Sequence, residues 1–195
     1  MAFEIVVIGA SHGGLAALQL VLPELSPEFP LPVVIVQHRK KDGDDGLCEY
    51  LRKRSALPLE EPDDKERVEP GRVYLAPRDY HLLIEESIFA LSTESPVGYA
   101  RPSIDVLFES AADVYGERLV GVILTGANSD GAKGLARIKS LGGFTVVQDP
   151  RTAESPAMPE AAIAATEVDR ILPLPEIAEF LNQLCNPGER LLHAR

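Results

Sequence analysis

The chain has 195 residues, of which 45% are hydrophobic and 25% charged, proportions typical of a globular protein with a sizeable core. Its 30 acidic and 19 basic side chains give a net charge of −11, which argues against nonspecific binding of nucleic acids or anionic lipid surfaces. The longest apolar runs are strand-sized, far short of the roughly 20 residues that a membrane helix needs, and no cationic leader is seen. Two cysteines, Cys48 and Cys185, make no disulfide framework, so we expect a cytoplasmic protein.

The first quarter of the chain predicts two strand–helix units. Glu4–Gly9 is a continuous apolar run of the kind found in buried parallel strands. Apolar residues then recur at helical spacing over Leu15–Leu25, and Pro27 ends the predicted helix. A second buried strand is predicted at Val33–Gln37, and a second helix at Leu47–Ser55.

The middle of the chain has a different pattern. A short strand is predicted at Arg72–Ala76, between two turns. His81–Glu85 and Ile88–Ser92 read as the two arms of an antiparallel hairpin, which we expect to be inserted at one edge of the sheet. Ser103 is a credible N-cap for a helix that extends to about Tyr115.

Alternation of strands and helices then resumes from the strand Leu119–Thr125 to the end of the domain. The further elements predicted are a helix at Ala132–Leu141, a strand at Phe144–Gln148, a helix that follows Met158 and extends through Ala165, a strand at Arg170–Leu172 and a helix at Pro175–Cys185. Pro159 suits the first position of the helix that follows Met158. This order predicts an α/β protein with a doubly wound, mostly parallel sheet, helices on both faces and a small antiparallel hairpin insertion. We expect one domain over residues 1–195, with a core from about 4 to 184 and a polar C-terminal tail at 186–195.

Three loops that follow predicted strands carry polar residues of complementary chemistry. Ser11 lies on a glycine-bracketed turn between a strand and a helix, His38 follows the second strand, and Asp130 follows the strand that begins at Leu119. The carboxyl ends of parallel strands meet at one edge of a sheet, so we expect these side chains to lie together. Serine needs a neighbouring base to act as a nucleophile, and a carboxylate orients that base and stabilises its cation. The helix start beside Ser11 also offers free N–H groups that suit an oxyanion.

Each of these residues also has an ordinary structural interpretation. A glycine-flanked serine is often a tight-turn residue or a phosphate ligand, and His38 could be satisfied by backbone groups at the end of its strand. Asp130 could serve as the N-cap of the helix at Ala132. A nucleotide-binding module would use the same kind of turn, but the pattern lacks the second glycine of G-x-G-x-x-G and the acidic residue after the second strand. A metal site formed by His12, His38 and Asp130 has no ligand spacing to support it, so we expect neither metal nor cofactor.

Several separate blocks of the sequence are similar to the catalytic domain of the chemotaxis protein-glutamate methylesterases (CheB), over about residues 4 to 184. The blocks are Ile8-Gly9-Ala10-Ser11-x-Gly13-Gly14, Gln37-His38, Tyr74-Leu75-Ala76-Pro77, Ala100 to Phe108, Gly121 to Gly126 with Asp130-Gly131-Ala132-x-Gly134, and Met158-Pro159. The resemblance implies hydrolysis of glutamate γ-methyl esters on the cytoplasmic helices of methylated chemoreceptors, often with deamidation of receptor glutamines. It also implies a catalytic triad of Ser11, His38 and Asp130.

The sequence departs from the family pattern around the predicted site. His12 follows the nucleophile where a small residue or threonine is usual. We interpret its side chain as exposed and nonessential, and its backbone N–H as a candidate oxyanion donor. The family's Gly-Met-Gly before the aspartate is Gly126-Ala127-Asn128 here, and the backbone N–H of Ala127 is the oxyanion donor that the resemblance implies. Arg101 either contacts substrate, as the resemblance suggests, or pairs with a structural carboxylate.

Three functions therefore compete. The first is the methylesterase. The family's receiver domain is not found before the first strand, so we expect either a stand-alone form or a fragment of a longer chain, and the sequence gives no support for a receiver-type regulator in trans. The second is an esterase of the same chemistry that acts on another substrate. The third is a catalytically degenerate relative retained as a binding or scaffold protein, in which the altered loop at Ala127 no longer binds an oxyanion.

Overall fold

The structure is a computed structural model that describes residues 2–39 and 46–185. Its strands are β1 (Ile5–Ala10), β2 (Val33–Gln37), β3 (Leu59–Glu60), β4 (Val73–Leu75), β5 (His81–Glu85), β6 (Ile88–Ser92), β7 (Leu119–Ile123), β8 (Phe144–Gln148) and β9 (Arg170–Leu172). Its helices are α1 (Gly14–Val21), α2 (Gly46–Arg52), α3 (Ile104–Tyr115), α4 (Ala132–Ser140), α5 (Ala157–Ala165) and α6 (Leu174–Cys185). Short 3₁₀ helices lie at Leu22–Glu24, Gly116–Arg118 and Pro150–Thr152.

Seven strands form one parallel sheet in the order β3-β4-β2-β1-β7-β8-β9. Strands β1, β2 and β7 are buried along their whole length, which is why their sequences are mostly apolar throughout and do not alternate with polar residues. The chain crosses from β1 to β2 in one direction and returns to pair β7 on the other side of β1. The strand order therefore reverses at β1, and open sheets of this kind place their sites outside the carboxyl ends at such a point.

Helices cover both faces of the sheet. Helices α1, α2 and α6 pack on one face through an apolar cluster that includes Leu18, Leu51 and Leu181. Helices α3, α4 and α5 pack on the other face, where Phe108 and Ile138 belong to a second cluster. None of the helices in the described ranges is long and apolar enough to cross a membrane.

The predicted fold class is confirmed, and the predicted boundaries of β2, β5, β6, β8 and β9 agree with the structure. The prediction that the hairpin joins the sheet edge is wrong. Strands β5 and β6 form a separate antiparallel sheet, because their apolar side chains pack into the core cluster on the α3 side of the main sheet. The edge beside β4 is taken instead by β3, a two-residue strand that the sequence pattern does not predict.

Two smaller corrections concern helix ends. Helix α5 begins at Ala157, so Pro159 is its third residue and not its first; the first-turn N–H groups of a helix have no partner within the helix, so proline fits there too. Helix α2 ends at Arg52, before the predicted Ser55. The predicted polar tail at 186–195 lies outside the described residues.

Candidate active site

The loops that carry the predicted site residues follow three neighbouring strands, and backbone hydrogen bonds hold them together. Beyond the end of β1, the N–H of Ser11 donates to the carbonyl of Thr125 at 3.0 Å. The N–H of His38 donates to the carbonyl of Ala10 at 3.0 Å. The ladder of the sheet thus continues into the site and sets the spacing of the loops that bear Ser11 and His38.

The side chains of Ser11, His38 and Asp130 form a continuous chain of contacts. Nδ1 of His38 lies 3.1 Å from Oγ of Ser11, and Nε2 of His38 lies 2.7 Å from Oδ2 of Asp130. Because a carboxylate only accepts hydrogen bonds, Nε2 carries the proton that is donated to Asp130. The lone pair of Nδ1 is then free to accept the proton of the Ser11 hydroxyl. This order of nucleophile, base and orienting carboxylate is the arrangement that activates a serine.

The carboxylate of Asp130 is buried and accepts further hydrogen bonds from the start of α3. Its donors are the hydroxyl of Ser103 at 2.8 Å and the backbone N–H groups of Ile104 at 2.7 Å and Asp105 at 3.0 Å. Burial by itself raises the pKa of this carboxyl, but the hydrogen bond from His38 and those from the two N–H groups outweigh burial, so its pKa lies below the ordinary value. Asp130 is therefore an anion with a fixed orientation.

The two helix starts beside the site exchange their caps. Asp130 was considered as the cap of its own helix, α4, but the N-cap residue of α4 is Gly131, and Asp130 instead binds the N–H groups of α3. Ser103 occupies the N-cap position of α3 as predicted, yet its hydroxyl donates to Asp130 and makes no cap bond of its own. In return, Asp105 in α3 accepts from the N–H of Gly134 in α4 at 2.8 Å. Sequence patterns did not predict this exchange, because each cap lies on the other helix.

The pKa of Asp105 is shifted in the opposite direction from that of Asp130. Burial is the main reason why its pKa is raised above the ordinary value, and the nearby charge of Asp130 adds to that effect. The N–H of Gly134 counteracts these two influences without cancelling them. Of the two neighbouring carboxylates, the one that contacts His38 is thus the stronger acid, and the charge next to the base is secured.

The N–H groups of His12 and Ala127 are the candidate donors to an oxyanion, and within the described ranges neither of them donates a hydrogen bond. The carbonyl of Gly126 accepts from the N–H of Met158 at 2.9 Å. Because a trans peptide is planar, fixing this carbonyl directs the N–H of Ala127, on the opposite edge of the plane, away from α5. A side chain at Gly126 would collide with Met158, since an added Cβ would lie 2.1 Å from Cε of that methionine. The contact gives a physical reason for the Met158-Pro159 block.

Asn128 fits the loop without strain. The φ of Asn128 does not lie in the positive region, so a glycine is not required at this position of the described loop. Its side-chain oxygen accepts from the N–H of Asp130 at 3.1 Å, and its amide nitrogen lies 3.5 Å from Nδ1 of His38. Asn128 therefore places an amide beside the base and accepts from the N–H of Asp130.

The remaining predicted site residues lie at the rim. His12 is exposed and pairs with Glu154, with Nε2 and Oε1 3.3 Å apart. The guanidinium of Arg101 donates to Asp79 at 2.5 Å and to the carbonyls of Thr93 at 2.7 Å and Glu94 at 2.9 Å. These acceptors occupy the guanidinium nitrogens of Arg101, as in the interpretation in which it pairs with a structural carboxylate. It anchors the loop that carries the exposed Tyr99.

Two open grooves meet at His38. One has a volume of about 510 Å³ and is lined by His38, Arg101 and Asn128, among other residues. The other has a volume of about 690 Å³ and is lined by Ser11, His12 and Tyr50, among others. The hydroxyl of Ser11 therefore borders open space in which an extended or helical protein segment could lie. No group of three metal-binding side chains occurs within residues 2–39 and 46–185.

Comparison with known proteins shows the family and the fold. The sequence profile of the CheB methylesterase family matches residues 6–181. The chain belongs to the CheB methylesterase family. The crystal structure of the Thermotoga maritima CheB methylesterase catalytic domain superimposes with a TM-score of 0.90 at 36% identity, covering 94% of this chain and all of that one.

Relatives of this CheB family member differ in length. A protein of Leptospira interrogans is 50% identical over 185 residues, which cover 94% of this chain and 96% of the relative; its name gives the activities of protein-glutamate methylesterase and protein-glutamine glutaminase provisionally. A protein of Anaeromyxobacter dehalogenans named protein-glutamate methylesterase/protein-glutamine glutaminase 2 is 44% identical over 181 residues. This chain spans about half of that relative, 53% of its length.

Proposed function

We propose that this protein is a serine hydrolase that removes methyl groups from glutamate γ-methyl esters on chemoreceptor proteins and deamidates receptor glutamines. The observation that carries the proposal is the unbroken contact chain from the hydroxyl of Ser11 through His38 to the buried carboxylate of Asp130. Membership of the CheB methylesterase family and the names of the relatives support the choice of substrate.

In the acylation step, Oγ of Ser11 attacks the γ-carbonyl carbon of the ester while Nδ1 of His38 removes the hydroxyl proton. The imidazolium formed is stabilised by Asp130, which already holds Nε2–H at 2.7 Å. The N–H groups of His12 and Ala127 stabilise the negative charge that develops on the carbonyl oxygen. Collapse of the tetrahedral intermediate breaks the bond to the methoxy oxygen, and His38 delivers its proton to methanol.

Water completes the cycle by the same route. His38 removes a proton from water, the resulting hydroxide equivalent attacks the acyl-enzyme, and Ser11 leaves with the proton from His38. The products are a glutamate carboxylic acid, which ionises, and the free enzyme. With a glutamine substrate the acylation step releases ammonia in place of methanol, and the hydrolysis step is identical.

The proposal is tested by methanol release from a methylated chemoreceptor. We expect wild-type protein to release methanol and Ser11→Ala to release it at least about 10⁴-fold more slowly, as expected when the nucleophile of a triad is lost. Ser129→Ala is the matched control, because it makes the same change at an exposed serine of the Asp130 loop. Methanol release by Ser11→Ala at the wild-type rate would overturn the assignment of the nucleophile, and a wild-type protein inactive on receptor but active on small methyl esters would overturn the substrate.

A further inference from the structure

Gln37, the last residue of β2, connects the two loops that carry the nucleophile and the base. Its side chain is buried, with 6% of the residue exposed. Its amide nitrogen donates to the carbonyl of Ser11 at 2.9 Å and to the carbonyl of His38 at 3.0 Å. These two acceptors determine the orientation of the carboxamide, because turning it over would place its oxygen against both carbonyls.

The other end of the carboxamide is unusual. Oε1 of Gln37 is buried and accepts no hydrogen bond from the described residues. A buried acceptor without a partner destabilises a fold, and most native structures contain few of them. Gln37 is therefore better explained by what its amide nitrogen holds than by its contribution to stability.

What the amide nitrogen holds is the peptide plane between Ser11 and His12. The carbonyl of this plane also accepts from the N–H of Gly14 at 2.9 Å, so it is fixed from two sides. A trans peptide is planar and its N–H points opposite to its carbonyl, so the N–H of His12 is directed away from Gln37. The following carbonyl, that of His12, is held in turn by the hydroxyl of Thr125 at 2.9 Å.

Gly14 provides the space for this arrangement. A Cβ added to Gly14 would lie 2.0 Å from Oε1 of Gln37 and 2.8 Å from Cβ of Ala10. The second glycine of the Gly13-Gly14 pair is thus a steric requirement of the buried carboxamide.

We propose that Gln37 is a positioning residue: by holding the carbonyl of Ser11, it aims the N–H of His12 at the oxyanion of the tetrahedral intermediate. The inference rests on the proposed esterase function. Gln37 borders the groove beside Ser11, but its amide nitrogen is engaged by two backbone carbonyls, so in this proposal it acts through the peptide plane. Its effect belongs to the transition state, because only there does the carbonyl oxygen carry the charge that the N–H stabilises.

The test is Gln37→Met, which keeps the length of the side chain and removes both donors. We expect kcat for methanol release to fall by roughly 10²-fold, the scale on which a lost oxyanion donor acts, with KM changing less than about threefold. Asn182→Leu is the matched control: its carboxamide also holds backbone groups, with contacts of 2.9 Å to Ser26 and Glu24, but it lies on α6. Thermal unfolding shows whether each variant is folded. Titration with a serine-reactive phosphonate counts the reactive sites in each protein.

Gln37→Glu supplies a second, pH-dependent readout. A carboxylate at this position has no proton to donate and faces two carbonyls, so we expect a larger loss of kcat than in Gln37→Met. When the pH falls, the buried carboxyl protonates and its O–H can donate to the carbonyl of Ser11, so the ratio of its kcat to that of wild type should rise on acidification.

Two outcomes overturn the inference and are distinguishable from failure of the proposed function. If wild type is active and Gln37→Met retains its kcat within twofold, Gln37 does not position the oxyanion donor. If Gln37→Met does not fold, a Gln37→Glu ratio that is independent of pH gives the same negative answer. If wild type itself releases no methanol and takes up no phosphonate, the proposed function fails and the inference falls with it.

Discussion

The loops after β1 and after β7 enter their helices in the same way but differ in length and surroundings. Both follow a buried parallel strand and enter a helix through a glycine in the left-handed region, with φ of 78° at Gly13 and 93° at Gly131. Ser11 is half-buried and its hydroxyl contacts one side chain, His38. Asp130 is 8% exposed and its carboxylate contacts four donors.

The difference follows from what each residue has to do. A nucleophile must approach a substrate carbon, so its hydroxyl cannot be committed to a network of hydrogen bonds. An orienting carboxylate must remain charged and still, so it is placed where backbone N–H groups from a second helix hold it. The loop after β1 therefore presents a hydroxyl that is free to react, and the loop after β7 presents a carboxylate that is held in place.

The largest expected effect comes from removing charge at the fixed turn. Asp130→Asn should lower methanol release by about 10³- to 10⁴-fold, because the amide supports the wrong protonation of His38. It should also lower the free energy of unfolding by about 3 kcal/mol, since a buried amide cannot satisfy the donors of α3 as the carboxylate does. Ser11→Ala should lose activity while its free energy of unfolding stays within about 0.5 kcal/mol of wild type. Urea unfolding followed by circular dichroism measures both; equal stability of the two variants would contradict the comparison.

Substitution of the left-handed glycine after β7 should likewise destabilise the protein more than substitution of the left-handed glycine after β1. Gly131→Ala should lower the free energy of unfolding by about 2 to 3 kcal/mol, because its Cβ would lie 2.6 Å from side-chain carbons of both Ile104 and Ile123 in the core. Gly13→Ala should cost less, about 1 to 2 kcal/mol: its Cβ would lie 2.7 Å from Cβ of Glu154, and a small shift of that exposed loop residue, outside the core, relieves the contact. A pair of denaturant titrations decides the order, and a costlier Gly13→Ala would mean that the nucleophile turn is the more tightly packed one.

Acid stability should reveal the fixed carboxylate. The pKa of Asp130 is lower in the folded protein than in the unfolded chain, so the unfolded state binds more protons as the pH falls. The stability that Asp130 contributes is therefore present above about pH 4, the ordinary pKa of aspartate, and is lost as the pH falls through the lower pKa of the folded state. Wild type should thus lose more stability than Asp130→Asn between about pH 5 and pH 2. Parallel pH titrations of the free energy of unfolding would contradict this if the two curves had the same slope.

The smallest effect is expected at the exposed neighbour of the nucleophile. His12→Ala keeps the backbone N–H and removes a polar contact between two exposed side chains. We expect the rate of methanol release to change less than about threefold and the melting temperature by less than about 2 °C. Differential scanning calorimetry and the methanol assay test this. A large loss of activity would give the imidazole of His12 a catalytic or substrate-binding role.

Much of this comparison was accessible from the sequence. Largely apolar runs without alternation predict β1, β2, β7 and β8 because those strands lie inside the sheet, and the parallel topology then predicts that Ser11, His38 and Asp130 share one edge. The exchange of caps between α3 and α4 was not predicted, since capping patterns describe neighbours along the chain and these caps come from residues about 25 positions away.

Other features were inaccessible for related reasons. Strand β3 has two residues, too few to show a period, and only its pairing with β4 defines it. The sequence around Arg101 is the same whether this residue contacts substrate or anchors a loop. Only the positions of Asp79 and of two carbonyls separate the alternatives. The role of Gln37 depends on a peptide plane, and residue patterns carry no information on peptide orientation.

Reaction with a serine-directed fluorophosphonate, followed by peptide mass spectrometry, tests the central claim most directly. The account predicts a single adduct on Ser11 in wild type, and labelling slowed at least about 100-fold in His38→Ala, because the base that activates the hydroxyl is missing. An adduct on another residue, an unmodified Ser11 in protein that still releases methanol, or labelling of His38→Ala at the wild-type rate would contradict it.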